Sequence, residues 1–186
     1  MSAETIVSDP VNALVVMGVS GSGKTTLAAM LAGRLGWPYR DADDMHPREN
    51  VEKMRAGRPL DDADRAPWLA AIAAWIDEER AQGGHAIIAC SALKRAYRDV
   101  LIGPRRDVGL IFLDGTREVI HARMAARAGH YMPPALLDSQ IATLEPPTPE
   151  EGAIRLSIDA APDDLLAQAL AALRPRLAGE SGARQS

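Results

Sequence analysis

The chain has 186 residues, 47% of them apolar and only 4% aromatic, which fits one domain with an aliphatic core. Its formal net charge of -4, without a long run of Lys or Arg, argues against nucleic acid or an anionic membrane as partner and favours a small metabolite. We expect a cytoplasmic protein, because no basic, apolar leader is visible and no apolar run approaches the roughly 18 residues that span a bilayer.

The first predicted strand, Ala13–Met17, ends at a glycine-rich segment that leads into a predicted helix over Lys24–Leu35. This phosphate loop fits the pattern Gly-x-x-x-x-Gly-Lys-Thr and consists of Gly18, Val19, Ser20, Gly21, Ser22, Gly23, Lys24 and Thr25. Glycines let backbone N–H groups wrap a phosphate chain, and the helix presents its positive end to the same anion. We predict a site for ATP that extends to Thr26, in which Lys24 reaches the β- and γ-phosphates and Thr25 holds Mg²⁺. A plain glycine-rich turn is the alternative.

Strands and helices alternate after this loop. Further strands are predicted at residues 37–40, 86–90, 108–113 and 154–158, and further helices at residues 48–56, 65–80, 92–101, 117–127, 134–144 and 162–177. Such alternation predicts an α/β fold with a parallel sheet covered by helices on both faces. We assign residues 1–178 to a single phosphate-loop domain and expect residues 179–186 to form a disordered tail.

Two carboxylates follow the second predicted strand, at Asp41 and Asp43. They begin an excursion over residues 41–82 that is too long for a plain connection and is typical of a substrate-binding segment. Alternation along an extended chain places both side chains on one side. Asp41 is predicted to help hold Mg²⁺ and Asp43 to receive or orient an acceptor hydroxyl; solvated turn acids or a helix cap are the alternatives.

The rest of the excursion carries further candidates. His46 and Arg48 have no clear structural purpose, whereas Arg65 either forms a surface ion pair or clamps a carboxylate with its fork of donors. Trp68 is predicted to be core or pocket wall. The helix that follows is expected to have Asp62 or Asp64 as its cap.

A second cluster follows the third predicted strand. Strand ends face the ligand crevice in open α/β sheets, which places Ser91 and Lys94 there. Arg98 lies one helical turn further, and a solvated helix face explains it nearly as well.

The third cluster lies on the helix predicted at residues 117–127. Arg123 and Arg127 are four residues apart, so they repel each other unless an anion lies between them. Gly129 ends the helix and two prolines start the next, which is the outline of a movable lid over residues 123–137. We assign Arg123 to the nucleotide and Arg127 to the transferring phosphoryl group; a pair of surface arginines is the alternative.

These segments together resemble the thermoresistant-type gluconokinases. The resemblance is carried by the run from Met17 to Lys24, Asp41-Ala42-Asp43, His46-Pro47, Asn50, Lys53-Met54, Gly57, Pro59-Leu60, Asp64-Arg65, Pro67-Trp68-Leu69, Cys90-Ser91-Ala92-Leu93-Lys94, Tyr97-Arg98-Asp99 and Gly129-His130. It implies a shikimate kinase-like three-layer fold whose five parallel strands have the order 2-3-1-4-5. It also implies transfer of the ATP γ-phosphate to the 6-hydroxyl of D-gluconate, entry of the product into carbohydrate catabolism, and a homodimer. Departures are small: Tyr131 stands where Phe is common, and Asp44 replaces an apolar residue.

The resemblance and the residue chemistry give one assignment of roles. The catalytic residues are Lys24, Asp43 and Arg127, the metal ligands are Thr25 and Asp41, and the substrate-binding residues are Asp43, His46, Arg48, Arg65, Trp68, Ser91, Lys94, Arg98 and His130. Three alternatives stay open: a kinase for another small acceptor such as shikimate, a nucleoside monophosphate kinase, and a nucleotide-sensing module without turnover.

Overall fold

A computed structural model of the chain describes residues 9–125 and 134–177. Its strands are β1 (Ala13–Met17), β2 (Tyr39–Asp41), β3 (Ala86–Ala89), β4 (Val108–Asp114) and β5 (Ile154–Ser157). Its α-helices are α1 (Lys24–Leu35), α2 (Arg48–Arg55), α3 (Asp62–Ala81), α4 (Arg95–Leu101), α5 (Arg117–Ala125), α6 (Pro134–Thr143) and α7 (Pro162–Leu177). Short 3₁₀ helices cover Ala42–Met45 and Pro149–Glu151.

The five strands form one parallel sheet with the order β2-β3-β1-β4-β5, which confirms the predicted fold and strand order. The central strand β1 pairs with β3 on one side and with β4 on the other. On the far side of β3, Asp41 at the end of β2 is in register with Ala89 at the end of β3. The carboxyl ends of β1, β2 and β3 therefore meet at one edge, where ligands bind in open α/β sheets.

The core lies on both faces of this sheet, because side chains alternate along each strand. On one face Leu14 and Val16 belong to a fully buried cluster with residues of α1 and α7. On the other face Val15 and Met17 pack with residues of α3 and α4. A strand buried on both faces reads as a continuous apolar run, which is why the sequence predicts β1 with its observed bounds.

Two helix starts differ from their predicted positions. The helix expected to begin at residue 65 begins at Asp62, and its N-cap is Asp61, so the prediction of Asp62 or Asp64 as cap was wrong. The Asp61 carboxylate accepts from the N–H of Asp64 at 2.8 Å, and the Asp64 carboxylate accepts from the N–H of Asp61 at 2.8 Å. Helix α4 begins at Arg95 and not at residue 92, because Ala92 has a φ of 45° that a right-handed helix excludes.

Parts of two predicted segments lie outside the described residues. They are residues 126–133 of the predicted lid, with Arg127 and His130, and the predicted tail at residues 179–186. In the part of the chain that the structure describes, no helix combines the length and apolar character needed to cross a bilayer.

Candidate active site

The phosphate loop joins the end of β1 to the start of α1 and forms a cradle of backbone groups. A Cβ atom at Gly18 would lie 2.6 Å from Ser22 Oγ and 2.9 Å from the backbone oxygen of Leu113, so a side chain there would displace the loop. Gly21 has a φ of 81°, in the left-handed region that favours glycine. Lys24 Nζ spans the loop and donates to the backbone oxygen of Val19 at 3.1 Å.

The cradle contains a polar group that fits an anionic ligand. Ser22 is completely buried, and its Oγ makes no hydrogen bond within residues 9–125 and 134–177. A buried hydroxyl without a partner costs about 1–3 kcal/mol, so such groups are rare without a ligand or water to satisfy them. Together with the start of α1, this orphaned donor fits the phosphate chain that the sequence predicts.

The predicted metal ligands lie together beside this loop. Thr25 Oγ1 donates to Asp41 Oδ2 at 2.7 Å, although 16 residues separate them. Asp41 Oδ1 accepts from the N–H of Asp43 at 3.0 Å, which fixes the carboxylate. A hydroxyl and a carboxylate are hard oxygen donors of the kind that Mg²⁺ prefers, usually with waters and phosphate oxygens completing its shell. The residues present therefore fit a magnesium ion carried in with a nucleotide.

Tyr39 also lies beside Asp41 and was not among the predicted site residues. Its hydroxyl donates to Asp41 Oδ2 at 3.4 Å. Burial and the negative charge of Asp41 raise the pKa of Tyr39 to about 12, so it stays a neutral donor. The signal was available, since residues two apart in a strand point to the same side and Tyr39 precedes Asp41 by two.

Asp43 lies at the mouth of the site. It lines an open cavity of about 630 Å³, whose other lining residues are Thr25, Tyr39, Arg40, Asp41, Asp44 and Met45. Asp43 is exposed on the cavity side, but partial desolvation by the surrounding protein raises the pKa of its carboxyl group, and the Asp41 carboxylate raises it further. The positive charge of Lys24 acts in the opposite direction on the same pKa. A carboxylate of raised basicity, close to the phosphate loop, is suited to accept a proton from a substrate hydroxyl.

His46 and Trp68 form a stacked pair near Asp43. Their rings stack with centroids 4.2 Å apart and an angle of 13° between the planes. Trp68 is 5% exposed, and its Nε1 donates to the backbone oxygen of Ala42 at 2.7 Å, so this side chain belongs to the core. Burial lowers the pKa of His46, and nearby Asp43 raises it to a lesser extent. His46 is therefore a neutral hydrogen-bonding group near pH 7 and not a cation.

Arg65 and Lys94 approach the site from α3 and from the turn after β3. Arg65 Nη1 donates to the backbone oxygen of Leu60 at 2.6 Å, and the guanidinium lies 5.7 Å from the centroid of the Tyr97 ring. Lys94 Nζ donates to both carboxylate oxygens of Asp62 at 2.9 Å, and the Tyr97 hydroxyl donates to one of them. Asp62 thus neutralises Lys94. Among the described residues Arg65 forms no ion pair, although its charge also helps to lower the pKa of Asp62.

Two predicted substrate-binding residues lie elsewhere. Arg98 is 2% exposed, and its guanidinium donates to both Glu151 oxygens at 2.5 and 3.0 Å and to the backbone oxygen of Ala92 at 3.1 Å. The prediction that Arg98 binds substrate is therefore wrong, because a buried guanidinium that is paired with Glu151 is not accessible to a substrate. Arg48 lies on the solvent side of α2 and pairs with Glu52 at 2.7 Å.

The remaining predicted residues border the phosphate loop. The backbone oxygen of Ser91 accepts from the N–H of Gly18 at 3.4 Å, so the turn after β3 touches the loop. Thr26 is exposed in the first turn of α1. Arg123 donates to the backbone oxygens of Ile158 and Ala160, the latter at 3.2 Å, which ties α5 to the exit of β5.

Comparison with known proteins agrees with this geometry. The family model described as an AAA domain matches residues 14–147, which contain the phosphate loop and the excursion after β2. A curated gluconokinase of Gluconobacter oxydans (strain 621H) is 50% identical over 153 residues, which cover 82% of this chain and 86% of that relative.

Solved structures support the same conclusion. A gluconokinase from Sinorhizobium meliloti 1021 has a TM-score of 0.82 at 38% identity, covering 95% of this chain and 99% of the other. A shikimate kinase from Aquifex aeolicus has a TM-score of 0.55 at 15% identity over 89% of this chain and 99% of the other, which shows a shared fold alone. With this fold and this similarity along most of its length, the chain belongs to the gluconokinase family of phosphate-loop kinases.

Proposed function

We propose that this protein transfers the γ-phosphoryl group of ATP to the 6-hydroxyl of D-gluconate, giving 6-phospho-D-gluconate and ADP. The observation that carries the proposal is the position of Asp43 beside both the phosphate loop and the Thr25–Asp41 pair, at the mouth of an open cavity. The relatives named gluconokinases support gluconate as the acceptor.

The chemistry follows from the positions of these side chains. Asp43 orients the acceptor hydroxyl and takes its proton as the bond from oxygen to the γ-phosphorus forms; the bond to the β-phosphate oxygen breaks and ADP leaves. Lys24 stabilises the charge that spreads over the moving phosphoryl oxygens, and we assign Arg127 the same role. Thr25 and Asp41 would hold Mg²⁺, which neutralises phosphate charge when it is bound.

Arg65 is our candidate for the cation that binds the gluconate carboxylate. Lys94 is neutralised by Asp62, and burial keeps His46 uncharged. Arg65 is half-buried and uses one nitrogen on the Leu60 oxygen. Its remaining donors form part of a planar fork that matches a carboxylate. His46 and Ser91 then suit the hydroxyl groups of the substrate.

The variant Arg65→Lys tests this assignment. We expect the KM for gluconate to rise about tenfold or more, because a point charge does not replace a bidentate fork, while the KM for ATP stays unchanged. Steady-state kinetics with each substrate varied in turn measure both values. Arg48→Lys is the matched control, since Arg48 is exposed and paired with Glu52. Equal effects of the two variants would remove Arg65 from the gluconate site.

The function itself is tested by ADP release with purified protein, Mg²⁺ and ATP. D-Gluconate is expected to stimulate ADP formation, whereas shikimate, AMP and buffer alone are not. Stimulation by shikimate or AMP in place of gluconate would show a kinase for another acceptor. ATP binding without any acceptor-dependent turnover would show a nucleotide-sensing module.

Further features of the proposal come from the family resemblance. They are a homodimer, a location in the cytoplasm, a lid over residues 123–137 that closes during turnover, and entry of the product into carbohydrate catabolism. The resemblance alone supports the homodimer, which light scattering coupled to gel filtration would test.

A further inference from the structure

Gln140 of α6 makes two hydrogen bonds to Ser20 in the phosphate loop, across 120 residues of sequence. Its Oε1 accepts from the backbone N–H of Ser20 at 2.7 Å, and its Nε2 donates to Ser20 Oγ at 3.1 Å. The orientation of the amide is fixed, because the backbone N–H can only donate and must face the oxygen. Gln140 therefore holds both the backbone and the side chain of one loop residue.

The helix that carries Gln140 is itself anchored. Leu137 is completely buried in the core beneath α6. Asp138 accepts from Arg117 Nη2 at 2.7 Å, which joins α6 to α5. Gln140 is half-buried between these anchors and the loop. Gln140 is thus presented by a helix that packs against the core and pairs with α5, which is the support that a positioning residue requires.

Helix α5 reaches the same part of the loop. A Cβ atom at Gly21 would lie 2.6 Å from Met124 Cγ, so Met124 packs directly against the glycine. The two helices that flank residues 126–133 therefore contact adjacent loop residues, Met124 at Gly21 and Gln140 at Ser20.

The hydrogen-bond pattern directs the Ser20 hydroxyl. A hydroxyl has one donor proton and two acceptor lone pairs, and Gln140 Nε2 uses a lone pair. The Ser20 proton must then point away from Gln140, ready for an acceptor. Lys24 Nζ bonds to the backbone oxygen of Val19, the residue before Ser20, so Ser20 belongs to the same stretch of the loop as the group expected to bind the β- and γ-phosphates.

We propose that Gln140 is a positioning residue that aims the Ser20 hydroxyl at the terminal phosphate of ATP. This inference rests on the proposed function and adds a residue that selects the triphosphate. If Gln140 only supported the loop, its removal would weaken the binding of ADP and of ATP alike, because both nucleotides require the same loop. A residue that acts on the terminal phosphate affects ATP alone.

The test compares binding of ADP with binding of a non-hydrolysable ATP analogue by calorimetry, in the presence of Mg²⁺. Two variants are used: Gln140→Leu, which removes both hydrogen bonds, and Gln140→Glu, which keeps an acceptor for the Ser20 N–H but loses the donor to Oγ. For both we expect about a tenfold loss of affinity for the analogue and a much smaller change for ADP. Ser139→Ala, at the exposed neighbouring position, is the control and should bind both nucleotides normally.

Kinetics supply a second readout. We expect kcat to fall about tenfold in Gln140→Leu with the KM for gluconate unchanged, and Ser20→Ala combined with Gln140→Leu to lose little more than the worse single variant. Equal losses for ADP and the analogue, no loss for either, or additive effects of the two substitutions would overturn the proposal. Absence of gluconate-dependent turnover in the unmodified protein would refute the proposed function, while the binding experiment would still decide the role of Gln140.

Discussion

Replacement of Asp43 by Asn is expected to lower kcat by about 10²–10⁴-fold, because it removes the group that accepts the proton of the substrate hydroxyl. Affinities for nucleotide and gluconate should change little, since Asn keeps the size of Asp and can still hydrogen-bond. Steady-state kinetics and equilibrium binding of both ligands measure these quantities. Asp44→Asn is the matched control, since Asp44 is the next residue in the chain and lines the same cavity. Near-normal turnover of Asp43→Asn with gluconate bound would contradict the assigned role.

The raised pKa of Asp43 adds a prediction about the acid side of the pH profile. Only the carboxylate can accept a proton, so kcat/KM should fall as pH decreases through the raised pKa of this group, above the range usual for Asp. The stability of the fold depends on pH in the opposite direction. The folded state binds this proton more tightly than the unfolded state, so the contribution of Asp43 to stability is present at low pH. That contribution is lost as pH rises through the folded-state pKa of Asp43.

The direction of this effect on stability separates a catalytic defect of Asp43→Asn from a folding defect. The neutral side chain of Asp43→Asn avoids a charge that the folded state disfavours, so its unfolding temperature at neutral pH should equal or exceed that of the unmodified protein. Thermal unfolding monitored by circular dichroism checks this. A variant that is inactive and also much less stable would show that Asp43 holds the fold together.

The sequence predicted the parts of the site that depend on neighbours along the chain. The phosphate loop is one continuous segment, and the pair Asp41 and Asp43 follows from the alternation of side chains after a strand. Thr25 and Asp41 were both predicted as metal ligands, and they are in contact because the parallel strands bring the ends of β1 and β2 to one edge of the sheet.

The sequence could not rank the candidates whose contacts are made only by folding. Arg65, Lys94 and Arg98 are cations near the excursion or the third strand, and nothing local ranks them as ligands for a carboxylate. Their roles are set by Asp62 for Lys94 and by Glu151, 53 residues away, for Arg98. Gln140 carried no signal at all, because a single glutamine on a helix gains meaning only when folding brings it against Ser20.

Removal of the positive charge at Lys24 is expected to lower kcat by an amount similar to that of Asp43→Asn. Lys24→Met should lower kcat by about 10²–10³-fold, because an ammonium group in the phosphate loop stabilises charge on the moving phosphoryl group. Lys24 Nζ donates to the backbone oxygen of Val19, and thermal unfolding followed by circular dichroism checks that the variant keeps its fold. Single-turnover measurements with saturating ATP and gluconate separate this loss from weaker nucleotide binding.

The same substitution tests whether Lys24 and Asp43 act as one unit. Lys24 lowers the pKa of Asp43 against the larger effects of desolvation and the Asp41 charge. Without that positive charge the pKa of Asp43 should rise further, and the residual activity of Lys24→Met should be lost at a higher pH on the acid side than in the unmodified protein. Lys53→Met is the control, because Lys53 pairs with Asp64 and should leave the acid side unmoved. An unchanged acid side in Lys24→Met would mean that the titrating group of the reaction is not Asp43.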